Sequence, residues 1–290
     1  NLDPKASLKL ADTMSSAFIS GNHKLPHYRT NKVSGEKSLA VDFLVSRSIE
    51  DKIKEKVAES SATAKSGNKI RDLIHMPPNE LTPEAFAQIC KTESKQQGFS
   101  YKFHSYAALK KMGAGAFCAV AQANPKSGSG IIEMTYKPNE KSNTKHIALV
   151  GKGITFDTGG VNVKPGMSML GMKGDMGGAA TAYSVLSLAK EQKWKAKISV
   201  FLAVCDNRIS DKAYQPDEII KSLSGKTIEV IHTDAEGRMV LADTLYLASE
   251  TKPDLMMDFA TLTGASVRAI GNAFSSVYSN NDDYLPLLTA

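Results

Sequence analysis

The sequence predicts an α/β fold with a mostly parallel, mixed central sheet that is covered by helices on both faces. Short apolar runs, which are typical of buried strands, alternate in the second half of the chain with longer segments of helical periodicity. The predicted strands are residues 146–150, 198–204, 227–231 and 255–260, and the predicted helices are residues 177–190, 216–223 and 238–250. Alternation of this kind is typical of parallel strands joined by crossover helices.

The first part of the chain shows a different pattern. Residues 39–45 alternate between apolar and other side chains and predict a strand. From Ile49 the four-residue apolar spacing predicts a helix through Leu73, which the prolines that follow terminate. Thr82 and Pro83 predict the N-cap and first position of the next helix. We therefore divide the chain into the tail of a smaller N-terminal α/β domain at 1–46, a connecting helix at 47–75 and a main domain at 76–290.

The net charge of +6 is concentrated in the first half of the chain. Residues 1–150 contain 22 Lys or Arg and 14 Asp or Glu, whereas residues 151–290 contain 14 and 16. A basic half is compatible with a nucleic-acid partner, but its lysines are scattered, which favours an ordinary solvated surface. No segment approaches the roughly 20 apolar residues of a membrane-spanning helix. The three cysteines form no paired motif and are expected to be buried thiols.

Charged side chains cluster around the predicted strand ends. Lys152 and Asp157 follow one strand, Asp234 and Glu236 follow another, and Asp175 precedes a glycine-rich helix start. Because such sheets bind ligands beyond the carboxyl ends of their strands, these groups are expected at one edge. Clustered carboxylates raise one another's pKa, and divalent cations are a natural compensation. The alternative is ordinary helix caps and turns, which Asp and Gly favour.

Two long segments carry a resemblance to a known family. They read VGKGITFDTGG at 150–160, continuing to MKGDMGGAA at 172–180, and HTDAEGR at 232–238. Both are similar to the signature of the leucyl aminopeptidase (cytosol aminopeptidase) family, and the similarity extends from about residue 71 to about residue 265. His232 departs from the family hallmark, which has Asn there. We expect His232 to support its loop by hydrogen bonding, with an added metal ligand as the alternative.

The resemblance implies a metal-dependent exopeptidase with two adjacent divalent ions. Asp157 and Glu236 would bridge the ions, Asp234 would hold the more exchangeable ion, and Lys152 and Asp175 would hold the tighter one. Lys152 would then be a neutral amine ligand with a strongly depressed pKa. Carboxylates with one amine suit zinc or manganese, with magnesium or cobalt also possible. The two ions would activate a bridging water that releases the N-terminal amino acid of a peptide.

The resemblance also implies two catalytic residues and a pocket for the first residue of the substrate. Lys164 would polarise the scissile carbonyl, and Arg238 would hold a bicarbonate ion that shuttles the proton. Met172, Thr261 and Gly264 match pocket positions, which predicts a preference for Leu-like or Met-like residues. The alternatives are surface charges at Lys164 and Arg238, and core packing at Met172.

The resemblance further implies a cytoplasmic homo-hexamer, a dimer of trimers, that acts on peptides. We expect the sequence to be a fragment of a longer chain. Residues 76–290 would then be the catalytic domain, with its C-terminal part missing from the fragment. The alternative function is a non-catalytic or dual-role family member that binds nucleic acid through its basic first half. Nucleotide binding is not supported, since the Gly225-Lys226-Thr227 run lacks the first glycine of a P-loop.

Overall fold

A five-stranded mixed sheet forms the centre of the protein. The computed structural model describes residues 3–30, 40–139 and 144–288. The sheet contains β1 (Ser100–Ser105), β2 (Gly130–Tyr136), β3 (His146–Asp157), β4 (Lys197–Asn207) and β7 (Leu255–Phe259), in the order β1-β2-β4-β3-β7. Strand β3 runs parallel to β4 and β7, whereas β2 is antiparallel to β1 and β4. The predicted mixed α/β sheet is therefore confirmed.

Helices pack on both faces of this sheet. The helices of the described residues are α1 (Pro4–Gly21), α2 (Glu50–His75), α3 (Pro83–Gln97), α4 (Tyr106–Met112), α5 (Gly115–Ala121), α6 (Gly177–Glu191), α7 (Glu236–Ser249), α8 (Gly264–Ile270) and α9 (Leu285–Leu288), and those that contact β4 are α3, α5, α6 and α7. Phe201 of β4 lies in one core cluster with side chains of α5 and α7. Its neighbour Val200 lies in a second cluster with side chains of α3 and α6. Because β4 is buried on both faces, it reads as a continuous apolar run.

The helices predicted from local signals are present. Helix α2 covers the predicted connecting segment, and α6 and α7 begin and end within two residues of their predicted bounds. Thr82 caps α3, since its hydroxyl accepts a hydrogen bond of 3.2 Å from the Ala85 amide. The three cysteines are free and buried, as expected. None of the helices in the described part of the chain is both long enough and apolar enough to span a membrane.

The strand predicted at 39–45 is wrong for residues 40–45, which form no strand; Leu39 lies outside the described residues. Leu44 is fully exposed, so the alternation has no sheet face on which to bury its apolar positions. The described N-terminal structure is instead α1, which Asp3 caps and which packs on α2. Asn68 and Arg71 of α2 donate hydrogen bonds of 3.2 and 2.8 Å to the carbonyl groups at the end of α1. The assignment of residues 1–46 to a separate domain stays a prediction.

The helix predicted at 216–223 is also wrong. Residues in this segment form β5 (Ile219–Lys221), which pairs antiparallel with β6 (Thr227–Glu229) in a separate two-stranded hairpin. Asp217 has a positive φ of 70°, which breaks the helix, and its amide donates to the Val230 carbonyl at 2.8 Å. The strand predicted at 227–231 therefore belongs to this hairpin and not to the central sheet.

Strand β3 extends seven residues beyond the predicted end at Val150 and reaches Asp157. Its glycines allow α6 to pack closely, because a Cβ at Gly151 would lie 2.5 Å from the Ala179 Cα. Near its end the register with β4 shifts, since two residues of β3, Thr155 and Phe156, lie opposite one residue of β4, Asp206. A bulge of this kind redirects the side chains that follow it. Lys152 and Asp157 both lie within β3 and not in a loop that follows it.

Candidate metal centre

Five charged side chains meet around the carboxyl end of β3. Lys152 and Asp157 come from β3, and Asp175 lies two residues before α6. Asp234 and Glu236 come from the loop that leads into α7, where Glu236 is the first helical residue. The prediction that these residues gather at one edge is correct. The predicted positions of Asp234 and Glu236 were partly wrong, because these residues follow a strand of the β5–β6 hairpin and not a strand of the central sheet.

The inner part of the cluster is centred on the amine of Lys152. Its Nζ lies 2.8 Å from Asp175 Oδ1 and 2.8 Å from Glu236 Oε1, and it donates to the Thr261 carbonyl at 3.0 Å. Lys152 and Glu236 are each 2% exposed. A Cβ at Gly237 would lie 2.7 Å from Lys152 Cε, so glycine leaves the space that this lysine occupies.

The outer part of the cluster is centred on Lys164. Its Nζ lies 2.8 Å from Asp157 Oδ2 and 2.6 Å from Asp234 Oδ1. One carboxylate oxygen from each of Asp157, Asp234 and Glu236 lies within 4.8 Å of the others. Four carboxylates thus face two ammonium groups, Lys152 and Lys164, which leaves an excess of negative charge when all six groups are ionised.

Burial perturbs the titration of the inner groups. It raises the pKa of Glu236 to about 7 and that of Asp175 to about 6, although the Lys152 ammonium opposes both shifts. Burial also tends to lower the pKa of Lys152, but the Glu236 and Asp175 carboxylates outweigh it, and the net direction is upward. The protein therefore carries a costly concentration of buried charge at this position.

The residues fit a divalent cation. Asp175 Oδ2 and Glu236 Oε2 are buried and have no hydrogen-bond partner among the described residues. An unpaired buried polar atom costs about 1–3 kcal/mol, so such atoms are rare unless a partner is bound. The donor set of carboxylate oxygens with one amine is suited to hard or borderline divalent metals.

A shell of neutral residues supports the outer carboxylates. Thr233 Oγ1 donates to the Gly159 carbonyl at 2.6 Å and accepts from the Asn162 amide at 2.8 Å. Asn207 and Tyr214 both donate to the Thr233 carbonyl, at 3.1 and 2.7 Å. No local sequence pattern predicts these roles of Asn207 and Tyr214. The one sequence feature that places Asn207 near the site is that it closely follows a predicted strand.

The structure brings some of the remaining predicted residues to the cluster and leaves others outside. Thr261 contacts it directly, since its hydroxyl donates to Asp175 Oδ1 at 2.7 Å. Met172 is half-buried, three residues before Asp175. Gly264 is exposed at the start of α8. Arg238 is exposed in the first turn of α7 and makes no hydrogen bond or ion pair with the described residues.

A cleft opens beside the outer part of the cluster. Its volume is about 340 Å³, and it is lined by Asn162, Val163, Lys164, Pro165, His232 and Asp234. His232 Nδ1 accepts a hydrogen bond of 3.1 Å from the Asp234 amide, which is the supporting role expected of it. The cleft gives a ligand access to Lys164 and Asp234 from solvent.

Comparison with known proteins identifies the family of this chain. Residues 68–290 match the sequence profile of the cytosol aminopeptidase family, catalytic domain. The chain belongs to the cytosol aminopeptidase family. It is 38% identical over 275 residues to a probable cytosol aminopeptidase of Persephonella marina, covering 94% of this chain and 54% of that protein. It is 43% identical over 225 residues to one of Alcanivorax borkumensis, covering 77% and 46%. The chain thus spans about half the length of the curated relatives that it matches.

Solved structures of other proteins share the fold of this chain. Leucyl aminopeptidase from Trypanosoma brucei in complex with bestatin superposes with a TM-score of 0.75 at 36% identity, covering 78% of this chain and 44% of that one. The bottromycin maturation enzyme BotP in complex with Mn superposes with a TM-score of 0.80 at 31% identity, covering 91% and 55%. The acidic cluster described above therefore lies in a fold for which a manganese complex is known.

Proposed function

We propose that the protein is a metal-dependent leucyl aminopeptidase that releases N-terminal amino acids from peptides. The observation that carries this proposal is the cluster of four carboxylates and two lysines at the end of β3. Its oxygen atoms are spaced for cation binding, and it occurs in a chain of the cytosol aminopeptidase family.

Two divalent ions would be held by the residues of this cluster. We assign Asp157 and Glu236 as bridging ligands, Asp234 to the exchangeable ion, and Lys152 and Asp175 to the tighter ion. The spacing of Asp157, Asp234 and Glu236 supports their sharing of ions. Unpartnered oxygens on Asp175 and Glu236 support the inner position. Lys152 would bind as the neutral amine, because a cation in contact with it favours loss of its proton.

The ions would be zinc or manganese, with magnesium or cobalt as alternatives. The complex of BotP with Mn supports manganese. When bound, divalent ions supply Lewis acidity and lower the pKa of water. The free amino terminus of the peptide is the group that we expect the exchangeable position to recognise, and this gives an exopeptidase.

Lys164 would stabilise the negative charge that develops on the scissile carbonyl oxygen. Its ammonium lies on the wall of the cleft, where its present partners are Asp157 and Asp234. Cations that share those carboxylates compete with Lys164 for them and leave its hydrogens available to the substrate. A fixed donor aimed at a developing oxyanion is one of the largest catalytic contributions.

Arg238 would hold a bicarbonate ion as the proton shuttle. Its guanidinium is exposed, lies two residues beyond Glu236 and has no partner among the described residues, so it is available to an anion. Guanidinium binds planar oxyanions through two parallel hydrogen bonds. An anion held there by Arg238 would supply a proton acceptor and donor for the attacking water and the leaving amine.

Met172, Thr261 and Gly264 would shape the pocket for the first residue of the peptide. The contact of Thr261 with Asp175 supports this placement, and apolar surface from Met172 favours Leu-like or Met-like side chains. We also propose a cytoplasmic location and a homo-hexamer built as a dimer of trimers. The names of the relatives support the first, and the family resemblance supports the second. Nothing favours the nucleic-acid alternative, since none of the relatives described above is named for nucleic-acid binding.

The test is hydrolysis of leucine p-nitroanilide by purified protein supplied with manganese or zinc. We expect activity that chelation removes and that the Asp157→Ala substitution abolishes. Asp211→Ala, at an exposed aspartate outside the cluster, is the matched control and should keep full activity. Full activity in the Asp157→Ala variant would contradict the metal assignment. Light scattering of the same sample measures the oligomeric state.

A further inference from the structure

Asn207 links the two chain segments that carry the outer carboxylates. It is the last residue of β4 and is paired in register with Asp157 of β3 immediately after the β3 bulge. Its backbone carbonyl accepts two hydrogen bonds of 2.9 Å from Thr158, one from the amide and one from the hydroxyl. The main chain of Asn207 is therefore attached to the residue that follows Asp157.

The side chain of Asn207 extends this link to the second segment. Its Nδ2 donates to Asp157 Oδ1 at 2.8 Å and to the Thr233 carbonyl at 3.1 Å. A primary amide nitrogen carries two hydrogens, and both are used here. Asn207 is 1% exposed, so water does not compete for either bond. One side chain thus contacts a proposed bridging ligand and the residue directly before Asp234.

These contacts define the orientation of the Asp157 carboxylate. Oδ1 accepts from Asn207 Nδ2 and from the Gly159 amide, both at 2.8 Å, while Oδ2 faces Lys164 at 2.8 Å. A second bond restrains the Thr233 carbonyl, because the Tyr214 hydroxyl donates to it at 2.7 Å. The distance between carboxylates on two separate elements therefore depends on buried neutral side chains, Asn207 and Tyr214, that hydrogen-bond to these elements.

We infer that Asn207 is the positioning residue of the metal centre, holding Asp157 and the Thr233–Asp234 loop at the spacing that a pair of divalent ions requires. This inference rests on the proposed function. Groups that hydrogen-bond to metal ligands set ligand orientation, and their loss typically reduces metal affinity by about 10–100-fold. The side chain at this position must be neutral and must donate twice, which Asn does at this length and Ser or Ala does not.

The test compares Asn207→Ala with the wild type by titrating the chelator-treated protein with Mn²⁺ alone. Calorimetry measures affinity and stoichiometry, and electron paramagnetic resonance distinguishes a coupled manganese pair from isolated ions. We expect the dissociation constant to rise by about 10–100-fold and the coupled signal to be replaced by that of isolated ions. Asn124→Ala is the matched control, because Asn124 also donates to a buried aspartate, Asp206, at 3.3 Å, outside the cluster.

The outcomes separate this inference from the proposed function. A wild type that binds no manganese pair would overturn both. A wild type that binds the pair, with an Asn207→Ala variant of equal affinity and equal coupled signal, would overturn the positioning role alone. If Asn207→Ala does not fold, Asn207→Ser, which is polar and adds no charge, takes its place. Wild-type binding in that variant would count equally against the inference.

Discussion

Lys152 Nζ lies 2.8 Å from Glu236 Oε1, and both side chains are 2% exposed. A buried ion pair of this kind is expensive to assemble, because both charges lose their hydration. Asp175 adds a second carboxylate to the same amine at 2.8 Å. The pair therefore contributes less to stability than its short distance suggests.

Replacing Lys152 should destabilise the metal-free protein strongly. Lys152→Met leaves two buried carboxylates without their cation, and the loss of one partner from a buried pair costs about 3–5 kcal/mol. Urea unfolding in the presence of a chelator at pH 8 measures the change. Lys145→Met is the control, because Lys145 pairs with Asp254 in solvent and should contribute little. Equal stability of the two variants would contradict the structural account of the inner position.

The stability of the metal-free protein should depend on Glu236 between about pH 4.5 and 7. Burial raises the pKa of Glu236 to about 7 in the folded state from an ordinary value of 4.5. The folded state therefore binds this proton more tightly than the unfolded state does. The protonated carboxyl contributes to the free energy of unfolding at low pH, and this contribution is lost as pH rises through 7. Glu236→Gln removes the titration, so the variant should gain stability relative to the wild type across this window. A difference in Tm that stays constant with pH would argue against the shift.

Close packing at the start of α6 predicts different outcomes for two glycines. A Cβ at Gly178 would lie 2.0 Å from the Phe259 carbonyl oxygen, so Gly178→Ala must displace the backbone of β7 or α6. Overpacking of this kind typically costs about 1–3 kcal/mol. Gly264 is the control, since among the described residues no atom beyond its chain neighbours and its own helix backbone lies within 4 Å of its Cβ position. Thermal unfolding should show a lower Tm for Gly178→Ala and little change for Gly264→Ala.

Lys164→Met should reduce kcat while leaving the metal content unchanged. Lys164 is not among the proposed ligands, and loss of one donor to an oxyanion typically lowers kcat by about 10²–10³-fold. Steady-state kinetics with leucine p-nitroanilide and metal analysis of the same sample provide both readouts. The control is Lys212→Met, at an exposed lysine in the loop after β4. A variant that loses its metal together with its activity would show that Lys164 acts on the ions instead.

Arg238→Ala should remove the response of activity to added bicarbonate. The exposed guanidinium has no described partner whose loss would disturb the fold, so unfolding should be unaffected. We expect a lower kcat in the variant and equal rates with and without bicarbonate, measured in buffer freed of carbon dioxide. Undiminished stimulation by bicarbonate would place the anion elsewhere.

The sequence determined the fold class, the principal helices and the charged residues of the candidate metal centre. Helices α2, α3, α6 and α7 follow from apolar spacing, caps and breakers that lie within a few residues of one another. Lys152, Asp157, Asp175, Asp234 and Glu236 were recognisable because their motifs are contiguous, and the structure brings all five together.

The tertiary structure decided what depends on distant residues. Pairing with strands distant in sequence decided three features: the antiparallel strands β1 and β2, the β5–β6 hairpin and the extension of β3. The alternating residues 40–45 form no strand, because they pair with no strand of the described sheets. The contact of Asn207 with Asp157 joins residues 50 positions apart. No local pattern encodes such a contact, because its energy exists only after β3 and β4 have paired. The residue types therefore indicate which chemistry is available, and the packing of separate elements sets the distances between the groups that would carry it out.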